Sequence, residues 1–142
     1  MKAMIFAAGL GTRLRPYTDN CPKALIEVGG EPMLGRVLRR VVAAGVTEAV
    51  VNVHHFPQMI VDYLEANSNF GITIHVSRED DLLLDTGGGL LVARQWLDGD
   101  EDILVHNADI FTDAGYAAMI QSHRASEAVA SLIAWERDSS RA

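Results

Sequence analysis

The feature that most constrains this chain is a rhythm. Short runs rich in Val, Ile, Leu and Ala recur at Lys2–Ala8, Ala49–Val53, Ile72–Val76, Ile103–His106 and Val129–Ala134, each bounded by turn residues. Brief, nearly continuous apolar runs of this kind read as strands buried on both faces. Between the first two, Met33, Leu34, Val37, Leu38, Val41 and Val42 fall three and four apart, with Arg36, Arg39 and Arg40 on the other side. That is the pattern of an amphipathic helix. Pro32 suits its first turn, where no helical N–H donor is needed, and Gly45 suits its C-terminal end, where a left-handed backbone is common. Further helices are expected over Pro57–Ala66, from about Gly88 to Leu97, and from about Asp113 to Arg124.

Strands alternating with helices predict an α/β fold of the Rossmann-like kind: a mostly parallel sheet covered on both faces, three layers deep, with right-handed crossovers. In such sheets ligands gather beyond the carboxyl ends of the strands. Three segments are thereby predicted to share one rim: Gly9–Lys23, Thr86–Gly89 and Asn107–Asp109. No internal repeat, low-complexity tract or linker interrupts the pattern. The polar end "WERDSSRA" follows the last apolar run without a closing helix, so the sheet is expected to stop part-way through a larger domain.

Charge narrows the functional classes. The chain has 142 residues, 49% of them hydrophobic, and a formal net charge of -7. An acidic balance argues against a general nucleic-acid or anionic-membrane surface. Any anion must be met locally. The single cysteine, Cys21, can form neither an internal disulfide nor a multi-thiolate metal site, which points to a reducing cytoplasm. The apolar start is too short to span a membrane and lacks a signal-peptide pattern.

Against this background "GLGTRLRPYTDNCPK" gathers cations directly after the first strand. Gly9 and Gly11 let the backbone turn sharply and present its N–H groups to an anion. Arg13 and Lys23 supply the formal charge, a guanidinium through two parallel bonds and an ammonium as a point charge. The spacing is not the dinucleotide fingerprint, whose third glycine is replaced by Leu14, and no Gly-Lys-Ser/Thr ending marks an ATPase-type loop. Taken on glycines alone, a surface turn with solvated arginines fits equally well.

Two more segments carry candidate chemistry. In "LLLDTGGGLLVARQWL" three glycines enter a helix, which suits close approach of backbone to a flat or anionic group, or simply a helix start capped by Asp85 or Thr86. In "ILVHNADIF" a carboxylate, Asp109, stands just beyond a buried strand. It suits a Mg²⁺ ion whose remaining ligands are water and substrate, or a turn aspartate. Other residues are read as structural. His54 and His55 are chain neighbours that point apart, Cys21 shows no sign of activation, Trp96 and Trp135 pack, and Glu79, Asp80 and Asp81 form a solvated run.

The whole string Gly9-x-Gly11-Thr12-Arg13-Leu14-Arg15-Pro16-x-Thr18-x-x-x-Pro22-Lys23 resembles the signature of the sugar-1-phosphate nucleotidyltransferases, the nucleoside-diphosphate-sugar pyrophosphorylases. The form "DTGGG" is most similar to the branch of N-acetylmuramate-1-phosphate uridylyltransferases and mannose-1-phosphate guanylyltransferase-like proteins. The resemblance implies that Ala8, Gly9, Gly11, Thr12, Arg13 and Lys23 hold the nucleotide's phosphates, with Arg13 and Lys23 catalytic. It implies that Thr86, Gly87 and Gly88 lie against the base, and that Asp109 binds Mg²⁺, although Ala108 replaces the family's usual glycine. The implied partners are a nucleoside triphosphate, UTP or GTP first, and a sugar 1-phosphate, with no nucleic acid or membrane and with room for a homo-oligomer. Residues 1–142 would be the nucleotide-binding part of one domain, the sugar pocket and a second metal-binding carboxylate lying in segments past residue 142. Two other readings stay open: a non-catalytic nucleotide-binding or regulatory module of the same fold, and a dinucleotide oxidoreductase domain, which the missing third glycine disfavours.

Overall fold

The structure, a computed structural model, describes residues 1–80 and 82–134; the expectations for Asp81 and Trp135 lie outside them. It contains two compact units, Met1–Phe111 and a second that begins at Thr112. In the first unit the order is strand β1 (Lys2–Phe6), a two-residue-per-strand hairpin β2 (Glu27–Val28) and β3 (Glu31–Pro32), helix α1 (Met33–Ala43), β4 (Glu48–Val53), helix α2 (Pro57–Ala66), β5 (Thr73–Arg78), helix α3 (Asp85–Leu97) and β6 (Ile103–Asn107). The second holds helix α4 (Tyr116–Arg124).

Strands β5, β4, β1 and β6 form one sheet in that order, every pair parallel. The register pairs Phe6 with Asn52 on one side and with Asn107 on the other, and Asn52 with Ser77, so the strands end level. Because neighbouring side chains on a strand face opposite ways, β1 feeds two layers. Met4 and Phe6, with Val50, pack against Ala93, Trp96 and Leu97 of α3. Ala3 and Ile5 face the other side, and neither has any solvent exposure. The connections from β1 to β4 and from β4 to β5 step one way, whereas that from β5 to β6 steps back past both. Right-handed crossovers therefore put α1 and α2 on one face and α3 on the other. Helix α1 buries Met33, Leu34, Val37, Leu38 and Val41 along one stripe, each of the larger side chains contributing about 1.5–3 kcal/mol by leaving water.

Several expectations shift. Strand β1 ends at Phe6 rather than Ala8, because the amide of Ala7 turns away from the ladder to the side chain of Asn52. Helix α3 starts at Asp85 rather than near Gly88, and α4 at Tyr116 rather than near Asp113. The β2–β3 hairpin was not expected; Gly29 and Gly30 close it with φ of 64° and 80°, values that suit a two-residue turn. The fifth strand, Val129–Ala134, does not form. Val129 and Leu132 are fully or nearly fully exposed, and an apolar segment without a ladder neighbour or covering layer has nothing to hold it as a strand. Among the described residues no helix is long and apolar enough to cross a membrane.

Candidate nucleotide site

The level ends of the strands enclose a cavity of about 170 Å³. Phe6, Ala7, Ala8 and Gly9 line it from the end of β1, Asn52 from β4, Glu79 from the end of β5, Leu83, Asp85 and Thr86 from the entry to α3, and Asn107, Ala108 and Asp109 from the end of β6. Lys23 and Ala24 complete the wall. The position is the switch point of the sheet, since the chain leaves β1 toward β4 on one side and returns as β6 on the other.

Of the residues predicted from sequence, Ala8, Gly9, Lys23, Thr86 and Asp109 meet at this cavity, whereas Gly11, Thr12, Arg13, Gly87 and Gly88 do not line it. Gly9 and Gly11 differ in kind. A Cβ on Gly9 would meet nothing within 4 Å and would project into free space, so the protein's own packing does not demand a glycine there. Gly11 has φ +65°, and a Cβ would come within 2.7 Å of Thr18 Cγ2 and 3.0 Å of Lys23 Cβ. Its carbonyl accepts hydrogen bonds from the Leu14 amide at 2.8 Å and from the buried Thr18 hydroxyl at 2.9 Å. Gly11, Thr18 and the fully buried Pro22 thus hold the loop in shape, while Gly9 leaves room at its inner edge.

Lys23 opens a single 3-10 turn directly after Pro22, and its Nζ donates to Asp109 Oδ2. Both side chains are about a quarter to a third exposed, so the pair contributes little to stability and stays open to exchange of partners. An ammonium carries three donors, which leaves capacity for a phosphate oxygen beside Asp109. Arg13 is exposed, in a 3-10 turn formed by Thr12–Leu14, and its side chain makes no hydrogen bond or ion pair among the described residues. Arg15 pairs with Asp19 at 3.5 Å on the surface.

The helix entry carries the largest departure from expectation. Neither Asp85 nor Thr86 caps α3; Leu84 precedes the helix without a side-chain cap, and Asp85 opens it with φ +58°, a rarely adopted backbone for a residue with a side chain. Strain of this kind concentrates at functional sites. Gly87 is open, a Cβ on Gly88 would meet Leu84 Cβ at 2.8 Å, and Gly89 faces Asn52 and Glu79. Glu79 is not solvated, as the charge run had implied: it is 3% exposed and hydrogen-bonded. Asp80, by contrast, is exposed and contacts Arg78 at 3.4 Å.

The residues read as structural behave differently from one another. His54 Nδ1 sits 2.5 Å from the Glu79 carbonyl, and the His55 ring packs at a tilt against Phe56, with centroids 4.1 Å apart. Burial pushes the Cys21 thiol up from its ordinary range, which keeps it protonated at neutral pH. Trp96 packs on the core and stacks with His75. Among the described residues no group of three or more His, Cys, Asp or Glu side chains converges as a metal cage.

A parallel sheet with a cavity at its switch point, lined by Gly9, Lys23 and Asp109 among others, defines an α/β protein with the geometry of a ligand site. The sequence profile of the nucleotidyl transferase family matches residues 2–141, and the chain belongs to that family. It is 43% identical over 122 residues to the N-acetylmuramate alpha-1-phosphate uridylyltransferase of Neisseria meningitidis serogroup B, covering 86% of this chain and 52% of that protein. It is 36% identical over 141 residues to the probable mannose-1-phosphate guanylyltransferase 1 of Oryza sativa subsp. japonica, covering 97% of this chain and 39% of that protein. Among solved structures, the UDP-glucose pyrophosphorylase of Acinetobacter baumannii superposes with a TM-score of 0.76 at 25% identity, over 89% of this chain and 53% of that one. The chain therefore spans about half the length, or less, of the relatives it matches.

Proposed function

We propose that residues 1–142 form the nucleotide-binding part of a sugar-1-phosphate nucleotidyltransferase, which joins a nucleoside triphosphate to a sugar 1-phosphate and releases pyrophosphate. The observation that carries this reading is the convergence of Gly9, Lys23, Thr86 and Asp109 on one cavity at the sheet's switch point. An oxygen of the sugar phosphate attacks the α-phosphorus, and the bond from that phosphorus to the bridging oxygen of the leaving pyrophosphate breaks. The attacking oxygen is already ionised, so no protein nucleophile or general base is needed. The demand is to bring two polyanions together, which is met by position and by fixed positive charge.

In this reading the backbone of Ala8–Gly9 approaches the phosphates where no side chain intervenes, and Lys23 exchanges part of its contact with Asp109 for a phosphate oxygen. Arg13, exposed on its turn, closes over the triphosphate from outside. Thr86 and the amides that open α3 face the base, since the first amides of a helix lack helical partners. A single carboxylate suits Mg²⁺, which takes most of its ligands from phosphate and water, and Asp109 is the residue that would hold it. When bound, the ion would neutralise charge on the α-phosphate and the leaving pyrophosphate. UTP is favoured ahead of GTP in this reading, a choice supported by the similarity to the uridylyltransferase. The lone thiol suits a cytoplasmic place of action.

The test is calorimetric titration with UTP, GTP, CTP and ATP, followed by pyrophosphate release with N-acetylmuramate 1-phosphate and mannose 1-phosphate on the longest form of the protein. UTP or GTP binding with turnover is expected. Binding without turnover on any sugar 1-phosphate would favour the non-catalytic module.

A further inference from the structure

Glu79 and Asn52 lie in the floor of the cavity and are 3% and 2% exposed. Every polar atom of the two side chains facing the network has a partner. The amide of Ala7 donates to Asn52 Oδ1 at 2.8 Å, Asn52 Nδ2 donates to Glu79 Oε1 at 2.7 Å, and the amide of Leu84 donates to Glu79 Oε2 at 2.9 Å. Chemistry fixes the direction of each bond. A backbone N–H can only donate, so Asn52 must turn its oxygen to Ala7 and its NH₂ to the carboxylate. The backbone of Glu79 is held as well, its amide donating to the Val53 carbonyl at 2.8 Å.

We propose that Asn52 and Glu79 are positioning residues that set the spacing between the turn after β1 and the segment entering α3. This rests on the nucleotide-binding reading above for its purpose, because those two segments are the ones assigned to phosphate and base. The relay begins one residue before Ala8–Gly9 and ends one residue before the left-handed Asp85. A shift at either end therefore moves a wall of the cavity. Gly89 belongs to the same device: a Cβ there would stand 2.8 Å from Asn52 Nδ2 and 2.9 Å from Glu79 Oε1, closer than real side chains tolerate. The third glycine of "DTGGG" thus admits the relay under the helix, a role separate from ligand contact.

A charge-relocation experiment tests the proposal. Glu79→Gln keeps size and shape but turns an NH₂ against one of two incoming donors. Asn52→Asp sets two carboxylates face to face. In the double variant the carboxylate at position 52 accepts from Ala7 and from the amide at position 79, whose oxygen accepts from Leu84, so every bond returns with the charge moved by one residue. Two readouts are taken: hydrogen exchange at the Ala7 and Leu84 amides of the free protein, and UTP affinity by titration. The parent is expected to protect both amides. Glu79→Gln should speed exchange at Leu84 and weaken UTP binding by about tenfold or more, as loss of a hydrogen bond to a buried charged group does. The double variant should recover both. If a single variant does not fold, recovery of folded protein in the double supports the relay in the same way.

A double variant no better than the singles would overturn the proposal, as would a Glu79→Gln protein equal to the parent in both readouts. The two readings separate cleanly. A parent that protects Leu84 but binds no nucleotide keeps the relay and contradicts the functional reading, while UTP binding with an unprotected Leu84 contradicts the relay alone.

Discussion

Two glycines two positions apart in one loop illustrate how much a residue type conceals. Gly11 is bound to its backbone, at φ +65° against Thr18 and Lys23, and Gly11→Ala is expected to lose about 1–3 kcal/mol of stability in urea unfolding. Gly9 is free of such constraint, so Gly9→Ala should unfold at the parent's urea midpoint yet bind UTP more weakly, because the added methyl enters the open space that the proposed function gives to phosphate. Equal effects of the two substitutions on stability would contradict this division. Arg13→Ala removes an exposed side chain, so stability should stay within about 0.5 kcal/mol of the parent. Triphosphate affinity should fall about tenfold, as it does when a charge-assisted contact is lost, and unchanged affinity by titration would remove Arg13 from the site. The meeting of Gly9, Lys23 and Asp109 was legible because the loop after β1 and the turn after β6 each follow an apolar run whose end marks the same rim of the sheet. Glu79 was not, since a carboxylate in the run Glu79–Asp80 looks solvated until a neighbouring strand brings Asn52 beneath it. Nothing in the run itself signals that partner.

At the scale of elements, legibility followed periodicity. Helix α2 occupies Pro57–Ala66 as its pattern predicts, and α1 follows its apolar stripe between Pro32 and Gly45. The β2–β3 hairpin escaped notice because each strand is only two residues long, although the paired glycines at 29 and 30 carry a readable turn signal. Val129–Ala134 shows the converse, an apolar run with strand composition but no ladder partner among the described residues. A strand is half of a contact, and composition describes one half. Strand β6 adds a pH dependence. Burial, with Arg40 adding to it, lowers the His106 imidazole from its ordinary 6.5, against the opposing effects of the Asn107 carbonyl and Asp109. The unfolded chain then takes up the proton more readily than the folded one, so this contribution to stability is full above about pH 6.5 and is lost as pH falls through the lowered folded value. Urea unfolding between about pH 5 and pH 8 should show that decline, and His106→Gln should flatten it. A slope unaffected by the substitution would assign the effect elsewhere.

For the molecule as a whole, nucleotide binding would set local attraction against long-range repulsion. A chain of net charge -7 repels a nucleotide at long range, while Lys23 at the cavity wall and Arg13 in the same loop offer local attraction beside the carboxylates of Glu79, Asp85 and Asp109. Ionic strength should act on both terms. Raising salt from about 0.01 M to about 1 M shortens the screening length from about 30 Å to about 3 Å, which suppresses the long-range repulsion as well as the attraction to exposed Arg13. The contact with partly buried Lys23 should survive best, so Lys23→Met should cost more affinity at high salt than Arg13→Ala. The most direct measurement of the central claim is a titration of isotope-labelled protein with UTP, followed at each backbone amide by nuclear magnetic resonance. The largest shifts are predicted at residues 7–11 and 84–88, and they should be lost in Lys23→Met. Absence of any shift at those amides, or a response centred away from the carboxyl ends of β1 and β6, would contradict it.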